Sequence, residues 1–192
     1  SDGVFKRCLD TIFRQVTDIG RMVQEFSDFA RMPKPSPVAF DLTALLEDVC
    51  FAQRVVNPDF KITLDANDQP ITILGDERLL GQAFGNIVKN AAEALAARSA
   101  DDEKIGQISV QIEATDPDVV AVTITDNGQG LPEEVMERLL EPYVTAKEGG
   151  TGLGLAIVDR IIMDHGGTIV LRNRTDGVTG AVVRVELPNR SG

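Results

Sequence analysis

The chain has 192 residues, 43% of them hydrophobic, with 30 acidic against 19 basic side chains and a formal net charge of −11. That composition is globular, the length fits one domain of about 150 residues plus an appendage, and no apolar run approaches the ~18 residues of a membrane span. The acidic balance argues against a nucleic-acid surface, which needs Lys and Arg to displace counterions, but leaves room for a small anion held by backbone N–H groups or through a metal ion.

Residues 4–31 read as one helix, with Val4, Cys8, Ile12, Val16, Ile19, Val23, Phe26 and Ala30 at three- and four-residue steps. Lys6, Arg7 and Asp10 interrupt the apolar residues there, so no signal peptide is expected. Lys6, Arg14, Asp18, Arg21, Glu25 and Asp28 take the other face. One helix cannot bury such a stripe alone, so a partner helix is expected and the sequence is read as starting in mid-domain. Pro33, Pro35 and Pro37 then form a stiff linker and a domain boundary.

Asp41 is a plausible N-cap for a helix over 42–55, with Leu45, Leu46, Val49 and Cys50 inward. Residues 60–64 and 71–74 read as short strands, and 76–97 as a long helix with Leu79, Leu80, Ala83, Ile87, Ala91 and Leu95 inward. A charged loop over 99–106 leads to a hairpin of 107–114 and 119–125. A glycine-rich turn (126–130), a short helix with Pro132 at its start and an irregular stretch to Gly150 follow. Thr151 to Asp164 reads as a helix, and 168–173 with 181–187 as a last hairpin. Such mixed elements point to an α+β two-layer sandwich. Cys8 and Cys50 read as buried thiols of a reducing compartment. The one histidine, His165, sits before two glycines at a helix end and reads as a cap or packing residue, cations being favoured there.

Three segments place polar residues and glycine where packing alone would not. In Asn86-Ile-Val-Lys-Asn90-Ala-Ala-Glu93, two asparagines share one helical face. Asparagine is a mediocre helix former, and its amide oxygen suits Mg²⁺, which keeps waters and binds phosphates. The plain alternative is two hydrogen-bonded surface side chains. Asp126-Asn-Gly128-Gln-Gly130 follows a strand. Its aspartate can accept from an exocyclic amine and its glycines let a flat ring approach, or the segment is an ordinary turn. Gly149-Gly-Thr-Gly152-Leu-Gly154-Leu opens a helix whose free N–H groups suit a phosphate, or it is a flexible lid without a ligand. It is not a dinucleotide fingerprint, since no strand precedes it and Ile157 replaces the third glycine, and it lacks the Gly-Lys-Ser/Thr of a Walker A loop.

In their order and spacing these segments resemble the catalytic, ATP-binding region of bacterial sensor histidine kinases, within the group that also holds gyrase, Hsp90 and MutL. Residues 86–93 resemble the N box, 126–130 the G1 box, Pro142-Tyr143 the F box with Tyr for Phe, and 150–154 the G2 box. The resemblance covers about residues 38–190, and the helix at 4–31 is similar to the second helix of the dimerisation and phosphotransfer hairpin. Glu141-Pro-Tyr-Val-Thr-Ala-Lys147 and Asp18-Ile-Gly-Arg-Met are most similar to nitrogen-regulation sensor kinases of the NtrY type. The resemblance implies a Bergerat-type ATP-binding fold, a mixed sheet of about five strands against three helices, preceded by one long amphipathic helix. The implied domains are the hairpin helix (1–32), the linker (33–39) and the catalytic domain (40–192).

The resemblance also implies roles. Asn90 is the Mg²⁺ ligand with Asn86 on the phosphate side. Asp126 binds the adenine amine, and Gly128 and Gly130 shape the pocket. Gly150, Gly152 and Gly154 form the lid hinge and helix start, with Tyr143, Thr145, Thr151 and Leu153 beside the nucleotide. Lys147 contacts the β- or γ-phosphate, and Lys89 either joins it or faces solvent. ATP and Mg²⁺ are the implied cofactors. A response-regulator receiver domain and, through the hairpin, a second copy are the implied partners, with the fragment cytoplasmic and its parent an inner-membrane sensor. The acceptor histidine belongs to a hairpin helix this sequence does not include, so the fragment is not expected to label itself.

Departures shift weight onto Lys147. Many relatives carry Lys and then an aromatic residue where Glu93 and Ala94 stand, so phosphate charge and adenine stacking come from elsewhere. Gly180-Ala181 replaces a common Gly-Thr, which puts adenine-side hydrogen bonding in question. An ATPase of the same group is the nearest rival, but its water-activating Glu position is Asn86, which cannot be a base. A free-standing Ser/Thr kinase of the anti-sigma type would lack the helix at 4–31. A nucleotide-sensing module without catalysis remains open, whereas a coiled-coil adaptor leaves the three boxes unexplained.

Overall fold

The computed structural model describes residues 2–66, 70–98, 104–147 and 150–189. Gly149 and residues 99–103 of the expected charged loop lie outside them, as do the side chains of Val4, Cys8, Arg14, Asp18, Arg21, Glu25 and Asp28.

Helix α1 (Asp2–Ala30) follows the apolar spacing and ends before the prolines. Ile12, Val16, Ile19, Val23 and Phe26 are each more than half exposed, so the stripe is uncovered along most of its length. Phe29 and Met32 instead pack on the core of the domain that follows.

Strand β1 (Val38–Asp41) was not expected from the sequence. Four residues carry too short a pattern to read, and its partner lies far along the chain. It pairs antiparallel with β3 (Thr72–Gly75), setting buried Phe40 opposite buried Ile73. Asp41 ends β1 and caps α2 (Leu42–Val56), its Oδ1 accepting from the N–H groups of Thr43 and Ala44 at 2.9 and 3.2 Å. The N–H of Ser36 donates to Asp76 Oδ2 at 3.0 Å. This bond fastens the chain to the domain inside the stretch read as a linker, beyond the earlier packing of Phe29 and Met32.

The main sheet has the order β2-β4-β5-β7-β6. Its strands are β2 (Lys61–Ala66), β4 (Gln107–Asp116), β5 (Val119–Asp126), β6 (Thr168–Asn173) and β7 (Ala181–Pro188). β2 runs parallel to β4 and the other pairs are antiparallel. A parallel pair needs a crossover, supplied here by β3 and helix α3 (Glu77–Ala96). With α2 and α4 (Gly154–Asp164) on either side of it, α3 covers one sheet face, burying Phe84, Ile87 and Val88. The other face is polar, with Arg184 donating to Glu186 and Glu113 at 3.0 and 3.2 Å. The five strands and three helices form the expected sandwich, with β1 and β3 as an additional small sheet.

Two helices differ from expectation. Residues 132–140 hold only a 3₁₀ turn, Met136–Arg138, because a segment that buries little beyond Leu139 does not offset the cost of helix nucleation. Helix α4 begins at Gly154 rather than Thr151, because Gly152 has φ +69.

His165 ends α4, and both of its ring nitrogens meet backbone groups. Its Nδ1 lies 2.7 Å from the carbonyl of Ile161 and its Nε2 accepts from the N–H of Asp76 at 3.0 Å, so the proton sits on Nδ1. The ring ties the end of α4 to the start of α3. Cys50 is buried, and burial pushes its thiol up to about 11, which leaves it inert. Among the described residues, no helix is long and apolar enough to cross a membrane.

Candidate functional site

A cavity of about 520 Å³ lies between α3, the start of α4, the inner sheet face and the residues around 139–147 and 150–152. Asn86, Lys89 and Asn90 line it from α3, Asp126 and Gly130 from the end of β5, and Thr145, Lys147, Gly150, Thr151, Gly152 and Gly154 from the opposite rim.

One end is stiff and apolar. Inward alternation along β5, β7 and β6 puts Ile124, Val183 and Leu171 in one cross-strand row on the cavity floor. Asp126 stands two residues beyond Ile124 and is only 5% exposed. Its Oδ1 accepts from the N–H groups of Gly128 and Ala181 at 2.8 and 3.3 Å. Among the described residues, Oδ2 has no hydrogen-bond partner. Burial raises the Asp126 pKa, against the two N–H bonds and the Arg174 charge, which lower it.

The surrounding turns are tight because two backbones approach closely. A Cβ at Gly180 (φ +150) would overlap the carbonyl oxygen of Asp126, and a Cβ at Gly128 would lie 2.9 Å from Ala94. Ala94 is thus small where Gly128 approaches it, and the cavity floor nearby is apolar. Asn173, at the inward end of β6, bonds both backbone groups of Leu131 at 2.6 and 2.8 Å and so holds the turn after Gly130 in place. Asn173 was not singled out from the sequence, and Ala181 was noted only for the Thr it replaces. Asn173 was visible as the inward partner of Ile169 and Leu171, but Ala181 acts through its backbone and leaves no side-chain signal.

The other end is charged and open. Asn86 and Asn90 face the cavity one turn apart on α3. Lys147 Nζ donates to Asn90 Oδ1 at 3.2 Å and to the Glu93 carboxylate, whose other oxygen lies 3.9 Å from Lys89 Nζ. An ammonium already rests on the Asn90 oxygen, so the atom is placed and oriented to hold a cation. Among the described residues no three His, Cys, Asp or Glu side chains cluster as a metal site. Mg²⁺ needs none, because it binds through one or two protein oxygens plus phosphates. No side chain caps α4, and Gly154 and Leu155 bring its N-terminus to the cavity wall.

The family described as histidine kinase-, DNA gyrase B- and HSP90-like ATPase matches residues 75–191, the span that contains this whole cavity. The chain belongs to that ATP-binding family. It is 48% identical over 185 residues to the nitrogen regulation protein NtrY of Azorhizobium caulinodans, a match covering 96% of this chain and 24% of the relative. Among solved structures, it is similar to full-length ShkA in complex with AMPPNP (TM-score 0.76, 27% identity, 95% of this chain and 38% of that one). It is also similar to the mycobacterial sensor histidine kinase MprB (TM-score 0.69, 25% identity, 80% of this chain and 97% of that one). The chain spans about a quarter of the length of the curated relatives it matches. The catalytic ATP-binding domain is thus of the sensor histidine kinase type.

Three residues expected at the site from the sequence stand off the cavity wall. Gly128 contributes its N–H to Asp126 from behind the wall. Leu153 is buried in the core at the start of α4. The Tyr143 ring is exposed, and the residue holds φ 66 while its N–H donates to the Gly152 carbonyl at 3.1 Å. At Tyr143 the backbone lies against that of Gly152, and the side chain does not line the cavity.

Proposed function

We propose that the chain binds ATP with Mg²⁺ in this cavity and delivers the γ-phosphoryl group to a histidine on a helical hairpin. From there it passes to an aspartate of a response-regulator receiver domain. The observation that carries the reading is the arrangement of one cavity: a buried carboxylate over an apolar floor at one end, and Asn90, Lys147 and an uncapped helix start at the other.

In this reading the Asp126 carboxylate accepts from the adenine amine, and Ile124, Val183 and Leu171 take the ring. Asn90, with Asn86 beside it, would hold Mg²⁺ through its amide oxygen, and the bound ion would neutralise phosphate charge. Lys147 and the start of α4 meet the outer phosphates, so transfer is assisted by positioning and charge rather than by covalent chemistry. The domain works in the cytoplasm, and its parent is a membrane-bound sensor that pairs through the hairpin, for which the uncovered stripe of α1 is suited. Because Ser36 is bonded to Asp76, the swing that presents ATP to the histidine pivots on residues 33–35 and lifts Phe29 and Met32 off the domain core.

Hydrolysis by an ATPase of the same family is disfavoured by the acids available. Among the described residues, Glu93 and Asp126 are the carboxylates lining the cavity. Glu93 is ion-paired with Lys147, and Asp126 lies at the base end.

The test is to supply the chain with γ-labelled ATP, Mg²⁺ and a purified two-helix hairpin carrying its histidine. Acid-labile label on the hairpin, absent when that histidine is replaced by Gln, is the expected result. Release of inorganic phosphate without hairpin label would contradict the reading and favour the ATPase.

A further inference from the structure

We infer that Glu93 is a positioning residue for Lys147: it holds the lysine on the Asn90 oxygen while nucleotide is absent, so that Mg²⁺ and nucleotide enter by displacing a built-in cation. The inference rests on reading this cavity as an Mg²⁺–nucleotide site.

Lys147 and Asn90 lie 57 residues apart in the chain, yet the ammonium is 3.2 Å from Asn90 Oδ1. Within residues 144–147 the remaining hydrogen bonds are local. The N–H of Lys147 donates to Thr145 Oγ1 at 3.1 Å, and the Lys147 carbonyl accepts from Gly150 at 3.0 Å. Among the described residues, the Lys147 side chain makes the hydrogen bonds that tie this segment to α3. Asn90 alone would offer the ammonium one neutral oxygen. Glu93, one turn further along the same face, adds the charge that fixes it there.

Mg²⁺ approaches an oxygen ligand to about 2.0–2.1 Å with near-octahedral geometry. An ammonium on the same amide oxygen blocks that approach, and the two cations repel. When the metal takes Asn90, Lys147 must therefore leave, and the phosphates that arrive with the metal are its new partner. Lys89, 3.9 Å from the other Glu93 oxygen, keeps the carboxylate neutralised after the exchange. The three residues Lys89, Glu93 and Lys147 thus form a charge relay in which one lysine stays on α3 and the other moves to the nucleotide.

Two measurements test this, on wild type, Glu93→Gln, Lys147→Met and the double variant, with thermal melts confirming that each is folded. The first is the rate of tryptic cleavage after Lys147 in protein free of nucleotide and Mg²⁺, followed by mass spectrometry. An exposed ion pair of this kind predicts cleavage about two- to fivefold faster in Glu93→Gln. An unchanged rate overturns the inference. The second is the Kd for Mg²⁺–AMPPNP by calorimetry. Glu93→Gln should tighten binding by a similar factor in the wild-type background and have no effect in the Lys147→Met background. The same gain in both backgrounds would mean simple repulsion between Glu93 and phosphate, and weaker binding would make Glu93 part of the metal site. Either result overturns the inference. If wild type binds no nucleotide, the cavity reading fails, while the cleavage arm still decides whether Glu93 holds Lys147.

Discussion

At the base end of the cavity Asp126 is 5% exposed and its carboxylate is fixed by two backbone N–H groups. At the phosphate end Lys147 and Glu93 keep 42% and 43% of their side-chain surface in water, and their contacts are long side chains reaching between separate elements. The base end is therefore part of the fold, its shape set by strand ends and by backbones in contact. The phosphate end is set by charges that exchange partners at little cost. Substitutions should divide accordingly. At the base end they disturb stability and binding together, unless they change only the charge. At the phosphate end they change binding and leave stability alone.

The largest effect is expected at Gly180. An Ala there combines an unfavourable φ with overlap on the Asp126 carbonyl and should cost about 3 kcal/mol of stability, read as a shift in the denaturant midpoint. Nucleotide binding should vanish with it. Asp126→Asn should sharpen the comparison by separating the two properties. It keeps the shape and removes a charge that burial disfavours, so the melting temperature should hold or rise. Calorimetry should nevertheless show nucleotide affinity about 10- to 100-fold weaker, the range for a hydrogen bond to a charged group. An equal affinity would break the assignment of the base end. Lys147→Met should weaken nucleotide binding severalfold, most at low ionic strength, while stability stays within about 0.5 kcal/mol of wild type.

The smallest effect is a pH dependence. Because burial raises the Asp126 pKa, the ionised carboxylate opposes folding. That cost is absent below the unfolded-state pKa and grows as pH rises to the folded value. Binding has the opposite sign, since the ionised form is the better acceptor for the adenine amine. Affinity should fall on acidification, beginning at a higher pH than an ordinary aspartate would give, and Asp126→Asn should flatten the profile.

The same division decided what could be read from the sequence. The α3 face, the two hairpins, the Asp41 cap and the glycine-rich segments carry local patterns, and the sandwich follows from them. Strand β1 escaped because its four residues acquire meaning only opposite β3. The 3₁₀ turn at 136–138 and the start of α4 at Gly154 differ from expectation through missing burial and through one positive φ. At the base end the candidate residues were legible as an aspartate and glycines beyond a strand, but their supports, Ala181 and Asn173, join from across the sheet. At the phosphate end Glu93 was read as a departure from its relatives. Only the contact with Lys147, from another part of the chain, gives it a function.

One titration decides between these ends of the cavity: AMPPNP into the chain, into Asp126→Asn and into Asn90→Ala, each with Mg²⁺ and again with a chelator. Wild type should show a single site that both substitutions weaken, with the Asn90→Ala deficit disappearing once Mg²⁺ is removed and the Asp126→Asn deficit persisting. No binding by the folded chain at millimolar nucleotide, or equal affinity in all three proteins, would contradict this reading of the cavity.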